Sequence, residues 1–233
     1  MKKILIVEDE EAIRSFEAIN LKRVGYTTVE AGSGEEALQI YDAEPDFDIA
    51  LLDISMPGMD GFTLCKELRS RSESLGIIML TAKSQEMDKI SGLMIGADDY
   101  VTKPFSPTEL LARVDSLYRR VSKTSAAPKP STEIKSGRFT LDLRSRSLTK
   151  DGKNIELTQV EFQIMEYFFA NPDTPIGRSV ILHKVWGDAY FGEEKIVDVN
   201  IRRLRMKIEE DSSDPKFIVT VWGMGYKWDT TAN

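Results

Sequence analysis

Three runs of the chain, residues 4–7 (ILIV), 49–52 (IALL) and 77–80 (IIML), are apolar at every position. A strand with one face in water alternates apolar and polar side chains. An unbroken apolar run instead describes a strand covered on both faces, as in a parallel sheet flanked by helices. With TTVEA and YVT, the pattern predicts five strands at 3–7, 27–31, 49–53, 77–81 and 100–102, separated by segments of helical period. Helix starts carry their own chemistry. Ser33 with Glu36 and Ser106 with Glu109 fit the S-x-x-E capping box, and Pro107 stands where a first helical residue is expected. Beyond it, Leu110, Val114, Leu117 and Val121 share one stripe, which leaves Glu109, Arg113, Arg119 and Arg120 outside it.

A length of 233 residues suits two domains better than one. Residues 1–121 form the first. Residues 122–132, SKTSAAPKPST, hold two prolines and no large apolar side chain, and read as a linker. Residues 133–233 follow a different grammar: short β segments with a hairpin turn at Asp151-Gly152, and a third capping box at Thr158 and Glu161. That box opens a helix with Val160, Ile164 and Phe168 on one face. Helices at 178–186 and 195–209 come next, the latter with Val197, Ile201, Leu204 and Ile208 in register, and FIVTVWGMGYKW closes the chain as a hairpin. Three helices and a terminal hairpin describe an α+β winged helix-turn-helix.

Charge divides unevenly. Residues 1–121 hold 14 Lys/Arg against 22 Asp/Glu, a balance of -8, and residues 122–233 hold 17 against 16, a balance of +1. Any nucleic-acid surface therefore belongs in the second half. No apolar stretch is long enough for a signal peptide or membrane span, since ILIV is broken at once by EDEE, so a cytoplasmic protein with no membrane partner is expected. The single cysteine, Cys65, excludes an intramolecular disulfide; it and His183 read as packing residues.

In an open parallel sheet, ligands bind beyond the carboxyl ends of the strands, where the strand order reverses. In a flavodoxin-like order 2-1-3-4-5, strands one and three flank that point. Glu8 and Asp9 follow the first of these, and Asp53 ends the other. Three converging carboxylates repel one another, a conflict that a hard divalent cation resolves, Mg²⁺ above all. Strand four ends in the hydroxyl of Thr81, and strand five is followed by Lys103. One rim thus carries acids for a metal, a nucleophilic carboxylate, and two groups able to hold a phosphoryl.

VEDE, DISMPGMDG, TAK and GADDYVTKPF resemble the receiver domain of bacterial response regulators, and VDVNIRRLRMKIE with TVWGMGYKW resembles the DNA-binding half of the OmpR/PhoB family. The match spans nearly the whole chain apart from the linker. The resemblance implies that Asp53 accepts phosphate from a sensor histidine kinase. Glu8, Asp9, Asp53 and the backbone carbonyl of Ser55 would hold Mg²⁺, and Thr81 and Lys103 would contact the phosphate, with the small Ala82 leaving access to it. It further implies that Thr81 moves toward the phosphate and Tyr100 turns inward behind it. The protein would assist its own modification without being a turnover enzyme. Lys89, Asp98, Asp99, Glu109, Arg113 and Arg120, of mixed sign, suit a homodimer formed on phosphorylation, pairing Lys89 with Glu109, Asp99 with Arg113 and Asp98 with Arg120.

Residues 195–207 carry a local charge of +4, fitting a major groove of double-stranded promoter DNA. Asn200, Arg202, Arg203 and Lys207 are the candidates on this helix, with Gly225 and Tyr226 in a wing that approaches the minor groove. Many members of the family carry arginine where this chain has Trp222. By the same resemblance, residues 187–194 would meet RNA polymerase. Two other readings stay open: a Mg²⁺-dependent phosphohydrolase, and a DNA-binding protein whose first domain only dimerises.

Overall fold

The computed structural model describes residues 2–82, 95–122, 133–187, 190 and 193–231, with the backbone alone at 82, 120 and 122. The chain divides into two compact units, residues 1–122 and 123–233. Residues 123–132 of the expected linker lie outside the described residues.

In the first unit, β1 (Lys3–Val7), β2 (Thr27–Ala31), β3 (Ile49–Asp53), β4 (Gly76–Ala82) and β5 (Asp99–Lys103) form one sheet in the order β2-β1-β3-β4-β5. All pairings are parallel. Among the described residues the helices are α1 (Glu11–Arg23), α2 (Gly34–Ala43), α3 (Gly61–Arg71) and α4 (Pro107–Ser122). Ile4, Ile6, Ile49, Leu51, Ile78 and Leu80 form one face of the sheet and pack with Ala18 and Leu21 of α1 and Leu110, Val114 and Leu117 of α4. Strand alternation sends Leu5, Val7, Ala50 and Leu52 to the other face, and all four are fully buried. The unbroken apolar runs are thus the middle layer of a three-layer fold.

Helix α1 departs from ordinary amphipathic patterning. It buries Glu17, Ala18 and Leu21 while leaving Phe16 and Ile19 exposed. Another buried charge serves as a staple: the Arg69 guanidinium donates to the carbonyls of Gly96, Ser72, Glu73 and Leu75 and to Asp98 Oδ2 at 2.9 Å. Asp98 also accepts from Ile77 N–H at 2.8 Å. These bonds tie the end of α3 to the start of β4.

In the second unit, β6 (Glu133–Ser136), β7 (Phe139–Asp142), β8 (Ser147–Lys150) and β9 (Lys153–Ile155) form an antiparallel sheet, with Lys150 opposite Lys153 across the Asp151-Gly152 turn. Then come α5 (Gln159–Ala170), α6 (Arg178–Trp186), α7 (Lys195–Ile208) and the hairpin β10 (Ile218–Val221) with β11 (Gly225–Trp228). Trp228 is clamped between Phe217, Phe139 and Phe169, with centroids 5.8, 5.2 and 5.0 Å away. This aromatic cluster anchors the hairpin.

The three S/T-x-x-E motifs resolve differently. Ser33 and Ser106 each accept from the N–H three residues on, but Glu36 turns to Gly32 N–H at 2.7 Å and Glu109 to Arg113 at 3.1 Å. Only the Thr158–Glu161 pair closes as a reciprocal box, at 2.9 and 3.3 Å. No helix among the described residues is long and apolar enough to cross a membrane.

Candidate functional site

Strand register assembles the first site. Val7 lies opposite Leu52 and Asp53 opposite Leu80, so the residues that follow β1 stand beside the end of β3. On the far side, Ala82 of β4 lies opposite Lys103, the last residue of β5. Four chain segments distant in sequence therefore end at one edge. Glu8, Asp9 and Asp53 each offer a carboxylate oxygen there, all within 4.8 Å of one another. Glu8 and Asp53 are buried and Asp9 is exposed, so the cluster opens to solvent on one side.

The Lys103 ammonium bridges the two buried acids, 2.5 Å from Glu8 and 2.6 Å from Asp53. Burial and the Asp53 carboxylate raise the Glu8 pKa, against the opposing pull of Lys103. Burial alone would lower the Lys103 pKa, but its bonds to Asp53 and Glu8 hold it above the ordinary lysine value. Ser55 N–H donates to Asp53 Oδ2 at 3.1 Å, and Glu10 N–H to Glu8 Oε1 at 3.3 Å. The second Asp53 oxygen and the orientation of Glu8 are thus fixed by backbone that the sequence places two residues downstream. Thr81 and Tyr100 are both buried.

The segment after Asp53 is held by a close approach at Gly61. A Cβ there would stand 2.1 Å from the Asp53 carbonyl oxygen, so only glycine lets α3 start against the strand end. Gly61→Ala is expected to displace this loop, costing the first unit about 1–3 kcal/mol of stability as overpacking does. On the acceptor role that the resemblance implies for Asp53, it should also slow phosphoryl uptake from acetyl phosphate at least severalfold. Unchanged thermal melting and uptake would show that the loop yields freely.

Behind the rim lies a group that sequence reading missed. Glu17 of α1 is fully buried, and neither carboxylate oxygen has a hydrogen-bond partner among the described residues. Burial, with the nearby Glu8 carboxylate adding to it, pushes its pKa up to about 8, against the pull of Lys103. No motif marks Glu17, because a glutamate on a helix ordinarily faces water.

The residues expected on a dimer face are not all on the surface. Asp98 is held by Arg69, as described above, and Asp99 is buried with its carboxylate 3.1 Å from Arg113 of the same chain. Arg113 also meets Glu109 at 3.1 Å. The start of β5 and the residue just before it carry these acids into the edge of the core, where each needs an internal cation. Lys89 and the side chain of Arg120 lie outside the described residues.

The second unit corrects several expectations for the helix at 195–208. Asn200 is fully buried, its amide donating to the Ile196 carbonyl at 2.8 Å. Arg203 is buried against Glu161 at 3.0 Å, and Lys207 reaches the same carboxylate at 2.9 Å and the Glu156 carbonyl at 2.8 Å. Burial alone would raise the Glu161 pKa, yet the two cations hold it below the usual value. These side chains knit α7 to α5. Of the four residues expected on this helix, Arg202 is exposed, on the same outward side as Met206.

Gly225 and Tyr226, expected in the wing, are likewise buried. A Cβ on Gly225 would stand 2.1 Å from the Ile176 carbonyl, and the residue has φ +129°. Tyr226 donates its hydroxyl to Asp198 at 2.6 Å, which Arg178 also meets at 2.6 Å. Arg205, which the sequence reading passed over, donates to the Ile218 carbonyl at 2.8 Å and Thr220 Oγ1 at 2.9 Å, joining α7 to the hairpin.

Comparison with known proteins decides the family. Residues 4–115 match the family described as "Response regulator receiver domain", and residues 152–228 match "Transcriptional regulatory protein, C terminal". The chain is 42% identical over 238 residues to the probable transcriptional regulator ycf27 of Cyanophora paradoxa, covering 100% of this chain and 98% of that one. The chain is a response regulator of the OmpR/PhoB type. It is also 40% identical to the sensory transduction protein RegX3 of Mycolicibacterium smegmatis, covering 97% and 99% of the two chains. Among solved structures, DrrB, an OmpR/PhoB homologue from Thermotoga maritima, matches at 30% identity and a TM-score of 0.50, covering 98% of this response regulator and 99% of DrrB. A mutant of RitR shares the fold at 23% identity and a TM-score of 0.76, covering 98% and 99%. The two-unit architecture is thus that of a regulator in which a receiver governs a DNA-binding domain, and the family supports phosphorylation-dependent control of transcription.

Proposed function

We infer that Asp53 is the phosphoacceptor of this response regulator, and one observation carries the inference. Asp53 stands at a strand end with a bonded lysine ammonium on one oxygen and a backbone N–H on the other, beside two further acids. A carboxylate is a weak nucleophile, so transfer depends on position and on neutralised charge. One Asp53 oxygen forms the new P–O bond while the P–N bond of a kinase phosphohistidine breaks and the imidazole leaves. Lys103 is placed to hold a phosphoryl oxygen, and Thr81 lies at the same strand edge.

The donor set fits a hard divalent cation. Glu8, Asp9, Asp53 and the Ser55 carbonyl would hold Mg²⁺, which would neutralise phosphoryl charge and orient the donor. That Lys103 already places a positive charge between Glu8 and Asp53 supports the fit. No catalytic turnover on a separate substrate is assigned, and the protein is assigned to the cytoplasm. Phosphorylation is read as promoting a homodimer through the face bearing Glu109 and Arg113, with Lys89, Asp98, Asp99 and Arg120 contributing if the internal pairs exchange. The second unit binds promoter DNA through α7, and residues 187–194 are assigned to RNA polymerase.

Intact mass after incubation with acetyl phosphate and Mg²⁺ tests the central assignment. The wild type should gain one phosphoryl group, and Asp53→Ala none. Chelating the metal should abolish uptake. Equal uptake by Asp53→Ala would move the acceptor elsewhere.

A further inference from the structure

Trp222 takes no part in the packing of the second unit. Trp186 and Trp228 are each 1% exposed, whereas Trp222 is 91% exposed and Met224, two residues on, 62%. Both sit at the tip of the β10–β11 hairpin, where Val221 pairs with Gly225 and Met224 N–H donates to the Val221 carbonyl at 3.0 Å. The stem beneath is tied down. Arg205 bonds it to α7, Tyr226 bonds it to Asp198, and Tyr226 exchanges backbone hydrogen bonds with Ile176 at 3.0 and 2.8 Å. The tip is therefore a preorganised mount that holds an indole in water with a methionine beside it, and a tryptophan presented this way offers rigid contact area to a partner.

Charge narrows the occupant. Between residues 218 and 228 the only basic residue is Lys227, and its ammonium lies 2.8 Å from Asp229. Such a tip has little to gain from neutralising phosphates. Apolar side chains, by contrast, enter the minor groove and open a base step. The bonds from Arg205 and Asp198 also couple the hairpin rigidly to α7, the helix that carries the exposed Arg202 and Met206.

We propose that Trp222, backed by Met224, wedges between base pairs in the minor groove flanking the α7 site, so that the wing contributes affinity and DNA bending by stacking instead of by charge. The proposal rests on the reading of the second unit as a DNA-binding domain. Trp222 is a specificity-determining residue on this view, favouring flanking steps that unstack easily.

The test uses the full chain and duplexes that the wild type selects from a random pool, end-labelled for energy transfer to report bending. Trp222→Ala should weaken binding about 10-fold and reduce the bend, while leaving the dependence of affinity on salt unchanged. Trp222→Phe should retain most of both properties. Trp222→Arg should recover affinity with a log–log salt slope steeper by about 0.9. Equal affinity and bend for Trp222→Ala and wild type would overturn the wedge, as would a shallower salt slope in Trp222→Ala. A variant that binds and bends normally but fails in transcription with purified RNA polymerase would place a protein on the tip and end the proposal. Selection of no duplex at all by the wild type would remove the DNA-binding reading itself, and the wedge with it.

Discussion

The stability advantage of Glu17→Leu over the wild type is expected to grow by roughly 3–4 kcal/mol between pH 5 and pH 8. The Glu17 carboxyl is buried and unpartnered among the described residues, and its pKa is raised to about 8 from an ordinary 4.5. Between these values the folded chain keeps a proton that the unfolded chain releases. Stability associated with this group is therefore complete below about pH 4.5 and is lost as pH rises toward 8. Leucine carries no proton, so the difference between variant and wild type isolates this one residue.

The measurement is urea unfolding followed by far-ultraviolet circular dichroism on the full chain. All three tryptophans, at 186, 222 and 228, belong to the second unit, so fluorescence marks the other transition and leaves the receiver's identifiable. A constant difference across this pH range would mean that Glu17 is already ionised. There is a functional side to the same charge. Once deprotonated, Glu17 adds a negative charge behind Glu8 and Asp53, whose shared counterion is Lys103. The charge balance of the acceptor site and the stability of α1 are thereby linked.

Glu161→Gln should destabilise the second unit by about 3–5 kcal/mol, because it leaves the buried Arg203 guanidinium without its counter-charge. For a unit of this size that corresponds to a fall of roughly 15–30 °C in its melting temperature, read by tryptophan fluorescence. The same carboxylate accepts from Thr158 N–H and meets Lys207, so one residue serves as helix cap and as anchor for α7. Its lowered pKa places the corresponding acid loss below about pH 4.5, as the carboxylate takes up a proton. The double variant Glu161→Leu with Arg203→Leu should regain part of the loss, since an apolar pair removes both the charge and its desolvation. Arg202→Ala supplies the contrast: unchanged melting with weaker DNA binding. Should Arg203→Met weaken DNA binding at unchanged melting temperature, Arg203 faces the ligand after all.

The boundary between sequence and tertiary information runs through particular residues. Apolar runs and helical periods sufficed for a five-stranded parallel sheet and the winged helix, because burial on both faces excludes polar side chains along the central strands. The acids at strand ends were equally legible, since the C-terminal edge of a parallel sheet is where unpaired polar groups meet a ligand. Exposure of an individual charged side chain was not. Arg203, Asp98 and Asp99 sit in local sequence that resembles any solvated face, and what buries them is a counter-charge 42 residues away at Glu161, 29 away at Arg69 and 14 away at Arg113. Composition and period therefore determined which segments form the core and which edge holds the chemistry. Only the tertiary structure decided which charges are structural and which face outward, because a buried ion depends on a partner that chain topology, and not neighbouring sequence, brings within reach.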